Sequence, residues 1–441
     1  MADRARALSK RYAPLVPALA TVLLLCAPAD RGDVTAPGRI TPADAASAVL
    51  LLCCLIRLVR QRARPLTLTA ALVLGSLAVG FAVSTMASDD PAASLPGFVR
   101  AVQIFVLVPA ALVLTLRTPR DFRVVAGSVV LLALVQGAIG VHQFMTGTGA
   151  SYMGKDIRAV GTFGSLDVMG MATVVAYGLV AALALGLAPA ADAPRHLRPA
   201  ALCSAALLVV PLAVSFSRGA WIATAVSVLV VLLLAGPRLA VRTLAVLGAL
   251  TVVLVGGAGV GSQMMSERIA SITEVSAAPD RSVTDRYALW AAAASIWSDA
   301  PVTGVGLKGF AAHRDGHASL GLSSGSDTGG AGAGFQREPL LSPHNMYLLV
   351  LSEQGLVGIT ALLGSWAALL VCALRRLPAA RRGGRHADCG LIAIGLLVWQ
   401  AVDFLYADIG GPTTVLTAVL FGLVSWWALA TPEPARGADT R

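Results

Sequence analysis

The chain has 441 residues, 56% of them hydrophobic and 13% charged, with a net charge of +10. Soluble globular domains carry roughly 25% charged residues, so the composition excludes an ordinary soluble enzyme and points to a membrane protein with several spans. The apolar residues come in runs of roughly 17–22 without strand-like alternation, the length a helix needs to cross about 30 Å of hydrocarbon, which excludes a membrane β-barrel.

Taken in chain order, the hydropathy pattern predicts an all-α, polytopic protein with about twelve transmembrane helices, at 13–29, 45–59, 66–84, 98–116, 124–144, 166–188, 200–215, 219–236, 240–260, 345–374, 390–406 and 412–430. Three regions follow: 1–260 with helices one to nine, 261–343 as a large outer loop, and 344–441 with helices ten to twelve and a cytoplasmic tail. The first run has basic flanks but no small-residue cleavage site before a polar domain, so it is expected to stay as a helix. Cytoplasmic connections retain Lys and Arg. Arg57 to Arg64, Arg117 to Arg123, Arg195 and Arg198, Arg238 and Arg242, and Arg375 to Arg385, with both termini, hold most of the 34 basic residues. That side is expected to be cytoplasmic and the long interval to face outward, in a multi-pass protein of the cytoplasmic membrane. The positive charge thus reflects topology rather than nucleic-acid binding. All six cysteines sit in or beside apolar runs, which indicates neither a disulfide framework nor zinc binding.

The first four spans carry little chemistry. Arg100, near the outer end of the fourth, is read as a snorkelling side chain. The fifth ends in Gln136 and His142, the latter read as a buried, hydrogen-bonded histidine. After it, Arg158-Ala159-Val160-Gly161-Thr162-Phe163-Gly164 predicts a tight turn presenting Arg158 at the membrane surface. Ser215-Phe216-Ser217-Arg218-Gly219-Ala220-Trp221 is a very short outer connection that holds Arg218 between two helices. A charge fixed there calls for an anion or water. A lipid-phosphate anchor and a substrate phosphate fit it equally.

Within the long interval, Ser282 to Asp299 reads as an interfacial amphipathic helix. Val283, Tyr287, Trp290, Ala294 and Trp297 form its apolar stripe, with Arg286 flanking it. Asp299-Ala300-Pro301 ends the helix and Gly304-Val305-Gly306 follows as a turn. His313 and His317 have a spacing that suits a metal, but the surrounding composition favours a solvated segment. The Gly/Ser-rich stretch 318–334 is expected to be mobile. The run 345–374 would measure about 45 Å as one helix, so a break near Gly355 is expected, with a surface helix before it opened by Pro343. His344 would lie in its first turn, where the helix dipole favours the neutral imidazole of a general base. A capping or packing histidine is the simpler alternative. Asp403 and Glu353 complete the polar candidates, both read first as structural partners.

Together the 158–164, 215–221 and Asp285-Arg286-Tyr287-Ala288-Leu289-Trp290 segments, Pro301-Val302-Thr303-Gly304-Val305-Gly306, and His344-Asn345 followed by Glu353-Gln354-Gly355-Leu356-Val357-Gly358 resemble the O-antigen ligase and polymerase family. The resemblance runs over roughly 150–375. It implies a GT-C-like fold and a metal-independent glycosyltransferase without cofactor. Such an enzyme moves glycan from undecaprenyl pyrophosphate to a glycan or glycolipid acceptor at the outer face of the membrane. By resemblance Arg218 and Arg286 clamp the donor pyrophosphate and His344 is the base, with Arg158, Asn345, Glu353 and Asp403 on the substrate-binding list. The lipid bilayer and polysaccharide-export machinery are the further partners implied. Ser165 and Asp167 stand where many relatives show asparagine, and the Gly/Ser-rich insertion before His344 is long. Two other classes stay open. A twelve-helix secondary transporter is disfavoured because the halves are dissimilar and the distinctive charges cluster at one boundary. A non-catalytic envelope scaffold would tolerate joint replacement of Arg218, Arg286 and His344.

Overall fold

The computed structural model describes residues 12–28, 41–61, 66–152, 155–167, 169–191, 193–243, 245, 281–318, 341–383 and 386–430. The ninth predicted run beyond 245, the start of the long interval and the Gly/Ser-rich segment after Ala318 lie outside the described residues.

The described chain is helical apart from one two-stranded antiparallel hairpin. Its helices are α1 (Ala13–Cys26), α2 (Pro42–Gln61), α3 (Leu68–Met86), α4 (Pro91–Thr115) and α5 (Pro119–Thr146). The hairpin strands β1 (Ala150–Tyr152) and β2 (Lys155–Arg158) follow, then α6 (Gly170–Leu187), α7 (Leu197–Ala213), α8 (Arg218–Ala235), α9 (Arg281–Asp299), α10 (Phe310–His317), α11 (Met346–Arg382), α12 (Ala387–Asp403) and α13 (Thr414–Leu429). Seven of these, α2 to α6, α8 and α11, are long and apolar enough to cross a membrane, and α1, α7 and α13 are shorter apolar helices. This is a multi-pass membrane protein.

Local sequence starts and stops these helices. Thr118 and Asp121 form a capping box with Pro119 in the first turn of α5, and Gly147 at φ 65° ends it. Thr67 and Ser217 cap α3 and α8 by accepting from Ala70 and Ala220 backbone N–H groups. The sixth span begins at Gly170 rather than 166, because Gly161–Asp167 forms a 3-10 turn broken by Gly164.

Helices α6, α12 and α13 are buried nearly all round and form the centre, as uniformly apolar helices do. Helices α5, α7 and α12 pack on α6, α8 packs on α12, α3 on α11 and α4 on α13. Large apolar side chains such as Leu52, Leu55 and Val59 on α2 and Leu72 and Val79 on α3 stay exposed, the surface expected of a lipid-facing helix. Polar bonds tie the packed helices: Ser227 Oγ donates to Gly395 O at 2.7 Å, Trp399 Nε1 to Thr224 Oγ1 at 2.9 Å, and Ser365 Oγ to Val73 O at 3.1 Å. At the arginine-rich end, Arg123 Nη2 donates to buried Asp388 at 2.9 Å and pins α5 to α12.

Two polar residues sit differently from expectation. Arg100 pairs with Asp44 at the start of α2 and with Gln103 Oε1 at 3.1 Å, so a protein carboxylate, not a lipid headgroup, receives it. His142 is exposed near the end of α5. The buried, bonded residue there is Gln136, joined two turns on by the half-buried, bonded Gln143.

Candidate active site

The connections at the end opposite the arginine-rich one converge. The predicted 158–164 turn is held by two glutamines on one face of α5. Gln143 Oε1 accepts from Val160 N at 3.1 Å and Gly161 N at 2.9 Å, while its Nε2 donates to Gly161 O at 2.8 Å. Gln136 Oε1 accepts from Thr162 N at 2.9 Å. Gly161 has φ 61°, a conformation that favours glycine, and a Cβ there would lie 2.4 Å from Gln136 Oε1 and displace that amide from its bond to Thr162 N. Arg158, just before this turn, donates from Nε to Ser215 O at 3.1 Å.

Ser215 opens the short connection into α8. Phe216 sits at φ 52°, an uncommon and strained region for a bulky residue. Ser217 then caps α8, leaving Arg218 in its first turn. Gly219 packs against Tyr406 of the α12–α13 connection, where its Cβ position lies 3.2 Å from that of the tyrosine.

Helix α9 carries Arg286, but its buried stripe is rotated from the expected one. Leu289, Ala292, Ala293 and Ile296 are buried, with Leu289, Ala293 and Ile296 clustered around Phe310 of α10, whereas Tyr287 is 49% exposed. The expected stripe followed the largest aromatics; the observed one follows the aliphatic residues that pack against Phe310 and against Leu348 and Leu349 of α11. Trp290 serves as a tether, donating from Nε1 to Pro343 O at 2.9 Å. Arg286 lies one turn before Trp290, on the same face of α9. Its guanidinium is pulled below its ordinary pKa by burial and then by Arg218, while Asp408, Asp403 and Tyr406 hold it up. Arg286, Arg218 and these three residues therefore share one electrostatic neighbourhood. His313 and His317 lie in α10, not in a loop. His317 Nδ1 meets Ser295 Oγ at 2.9 Å, and His313 Nδ1 meets Gly309 O at 2.9 Å.

His344 lies outside the first turn of α11, at φ 50°. The helix is opened by Asn345 rather than Pro343, because the asparagine Oδ1 accepts from Tyr347 N at 3.0 Å and Leu348 N at 3.1 Å. Its Nδ2 donates to Leu405 O at 3.2 Å, and Met346 N donates to Phe404 O at 2.9 Å. Asn345 is thus occupied in fixing His344 against the α12–α13 connection. The break in α11 falls at Gly355 as expected, with φ 60°. Two sequence motifs interlock there: Val305 N and Gly306 N donate to Ser352 O and Glu353 O at 3.1 and 2.8 Å, and Leu356 N and Val357 N donate to Pro301 O and Val302 O at 2.9 and 3.0 Å. Glu353 faces this interlock, its Oε1 accepting from Phe310 N at 3.3 Å at the start of α10. It docks α10.

The hub is therefore the 403–413 connection, which contacts the Arg218 helix, the His344 turn and the 161–167 turn. Asp403 is 4% exposed and lies in electrostatic range of Arg286, Asp408 and Asp167. Asp408 Oδ2 is buried without a hydrogen-bond partner among the described residues. Thr413 Oγ1 donates to Asp167 Oδ2 at 2.7 Å. Asp408, Tyr406 and Thr413 escaped the sequence reading. An acidic outer connection directly after an intramembrane acid was the available signal.

Asp167 gives a pH-dependent prediction. Burial pushes its carboxyl from 3.8 up to about 6, against the bonds from Thr413 and Gly170. With the folded value raised, its contribution to stability is complete below the ordinary carboxylate value and is lost as pH rises through about 6. Asp167→Asn stays neutral and keeps that stability, so the variant should exceed wild type by at most about 3 kcal/mol at pH 7.5 and under about 1 kcal/mol at pH 4. Thermal unfolding in detergent at both pH values checks this; a difference independent of pH would refute it.

Residues 203–363 match the O-antigen ligase family. That stretch is similar to an O-antigen ligase domain. The matched segment begins within α7 and ends in α11, so it contains Arg218, Arg286, His344, Asn345 and Glu353. Arg158 and the hub connection lie outside it and complete the geometry around this ligase-family domain. No curated protein matches the chain.

Proposed function

We propose that the protein is a GT-C-type membrane glycosyltransferase of the ligase or polymerase kind, working on an undecaprenyl-pyrophosphate-linked glycan. In this reading twelve spans place both termini in the cytoplasm and the Arg218, Arg286 and His344 end at the outer face of the cytoplasmic membrane. The arginine bias of the opposite connections supports that orientation.

One observation carries the reading. Two arginines from separate elements, Arg218 on α8 and Arg286 on α9, come within electrostatic range of each other, and one turn on from Arg286 the Trp290 indole is bonded to Pro343 O, next to His344. Like charges repel, and Asp408 and Asp403 oppose that repulsion. A pyrophosphate between the two guanidiniums turns it into attraction, and guanidinium forks match phosphate oxygens. The acceptor hydroxyl attacks the anomeric carbon of the donor sugar, and the bond from that carbon to the pyrophosphate oxygen breaks. The electron pair leaves with undecaprenyl pyrophosphate, where the two arginines stabilise it, and the hydroxyl proton passes to His344. The strained backbone at Phe216 and His344, two residues before and directly at proposed catalytic side chains, is where such strain is expected.

The test is transfer in vitro by purified protein, with a verified undecaprenyl-pyrophosphate oligosaccharide and acceptor, in EDTA. A single addition identifies a ligase and a ladder of products a polymerase. No transfer with a verified native pair would refute the proposal.

A further inference from the structure

The resemblance implies a substrate contact for Arg158, and its guanidinium also reaches two protein groups. Nε donates to Ser215 O at 3.1 Å, and Nη2 reaches Met169 Sδ at 3.2 Å. Its neighbour adds a second strut, Ala159 N to Val214 O at 3.4 Å. Behind both, the turn is fixed to α5 by three bonds from Gln143, at 3.1, 2.9 and 2.8 Å. The connection they hold needs support. The amides of Ser215 and Phe216 reach Leu212 O and Ala213 O only at 3.4 and 3.3 Å, and Phe216 is strained at φ 52°. A strained turn persists only where its surroundings over-determine it. Directly after it comes Arg218.

We propose that Arg158 is a positioning residue: its guanidinium holds the Ser215–Ser217 turn, and through it sets where Arg218 stands. This deepens the reading of Arg218 as a donor-phosphate ligand and rests on it. Charge alone does not perform the task. The contact is a directed N–H bond from Nε to a carbonyl, with a second nitrogen on a sulfur, and a lysine ammonium has neither the fork nor its planarity.

Two measurements test it. The first is hydrogen–deuterium exchange of a peptide covering 213–219 in detergent, without donor, comparing wild type with Arg158→Met, which keeps the packing of the stem. About tenfold faster exchange is expected, since the tether holds the turn closed; unchanged exchange overturns the proposal. The second is a double-mutant cycle on the Kd for undecaprenyl pyrophosphate, using Arg158→Met, Arg218→Ala and the pair. If Arg158 acts only through Arg218, the single Arg158 variant weakens binding about tenfold and the pair binds like Arg218→Ala within about threefold. Losses that multiply would mean that Arg158 touches the phosphate itself, and unweakened binding in Arg158→Met would mean that it positions nothing; either overturns the proposal. Wild type that fails to bind undecaprenyl pyrophosphate would sink the donor assignment, while the exchange experiment still decides the tether.

Discussion

Arg286→Ala is expected to lower glycan transfer at least about 100-fold, corresponding to about 3 kcal/mol of lost transition-state stabilisation, while leaving the protein folded. The leaving pyrophosphate gains charge as the glycosidic bond breaks, so a guanidinium beside it contributes most in the transition state. Stability should change little, because two opposing contacts are lost together: the repulsion with Arg218 and the attraction to Asp403 and Asp408. Arg286→Lys should recover under about a tenth of the activity, since an ammonium lacks the two-pronged donor geometry. His344→Ala should lose transfer by about 100-fold or more with donor binding retained, because the base acts on the acceptor. Transfer rates, donor Kd and thermal unfolding measured on the same preparations check all three. An active His344→Ala protein would remove the base assignment. An Arg286→Ala protein with full activity would remove the clamp.

The second large effect concerns the interlock beneath the site. Gly355 has φ 60°, and a Cβ there would lie 2.4 Å from the carbonyl carbon and oxygen of Val302 and 2.6 Å from Thr303 N. These are backbone atoms, so no side-chain rotation relieves the clash. Gly355→Ala should therefore cost more than about 3 kcal/mol, through both left-handed strain and separation of the 301–306 segment from α11. Because that segment continues from α9, the loss should also displace Arg286 and lower transfer in whatever protein remains folded. Gly364, further along α11, has nothing within 4 Å of its Cβ position. Gly364→Ala is the control, neutral or stabilising by up to about 1 kcal/mol. Equal behaviour of the two variants in thermal unfolding would show that the interlock does not hold the site together.

Much of the architecture followed from composition alone. A chain so apolar must satisfy its backbone within helices, so run length and arginine placement were enough to read a multi-pass helical protein. Arg218 and His344 stood out for a local reason: each stands in a short polar motif beside a membrane-grade run, where a polar group is costly without a task, whereas Arg286 was singled out through the family resemblance. The break at Gly355 was legible too, since one straight helix would be too long for the bilayer.

What the linear pattern could not supply was who faces whom. The stripe on α9 was read from its aromatics, but packing against α10 and α11 selected Leu289, Ala293 and Ile296 and left Arg286 in electrostatic range of Arg218. By resemblance Asn345 and Glu353 counted among substrate ligands, although Glu353 read first as a structural partner. Only the tertiary contacts reveal one as a helix cap braced on Leu405 and the other as the dock for α10. The 403–413 connection, nearly 60 residues beyond His344, became the hub because α12 and α13 return the chain to the same end of the bundle. Hydrophobic periodicity fixes which residues leave water; the mutual geometry of distant polar groups is decided by how whole helices pack.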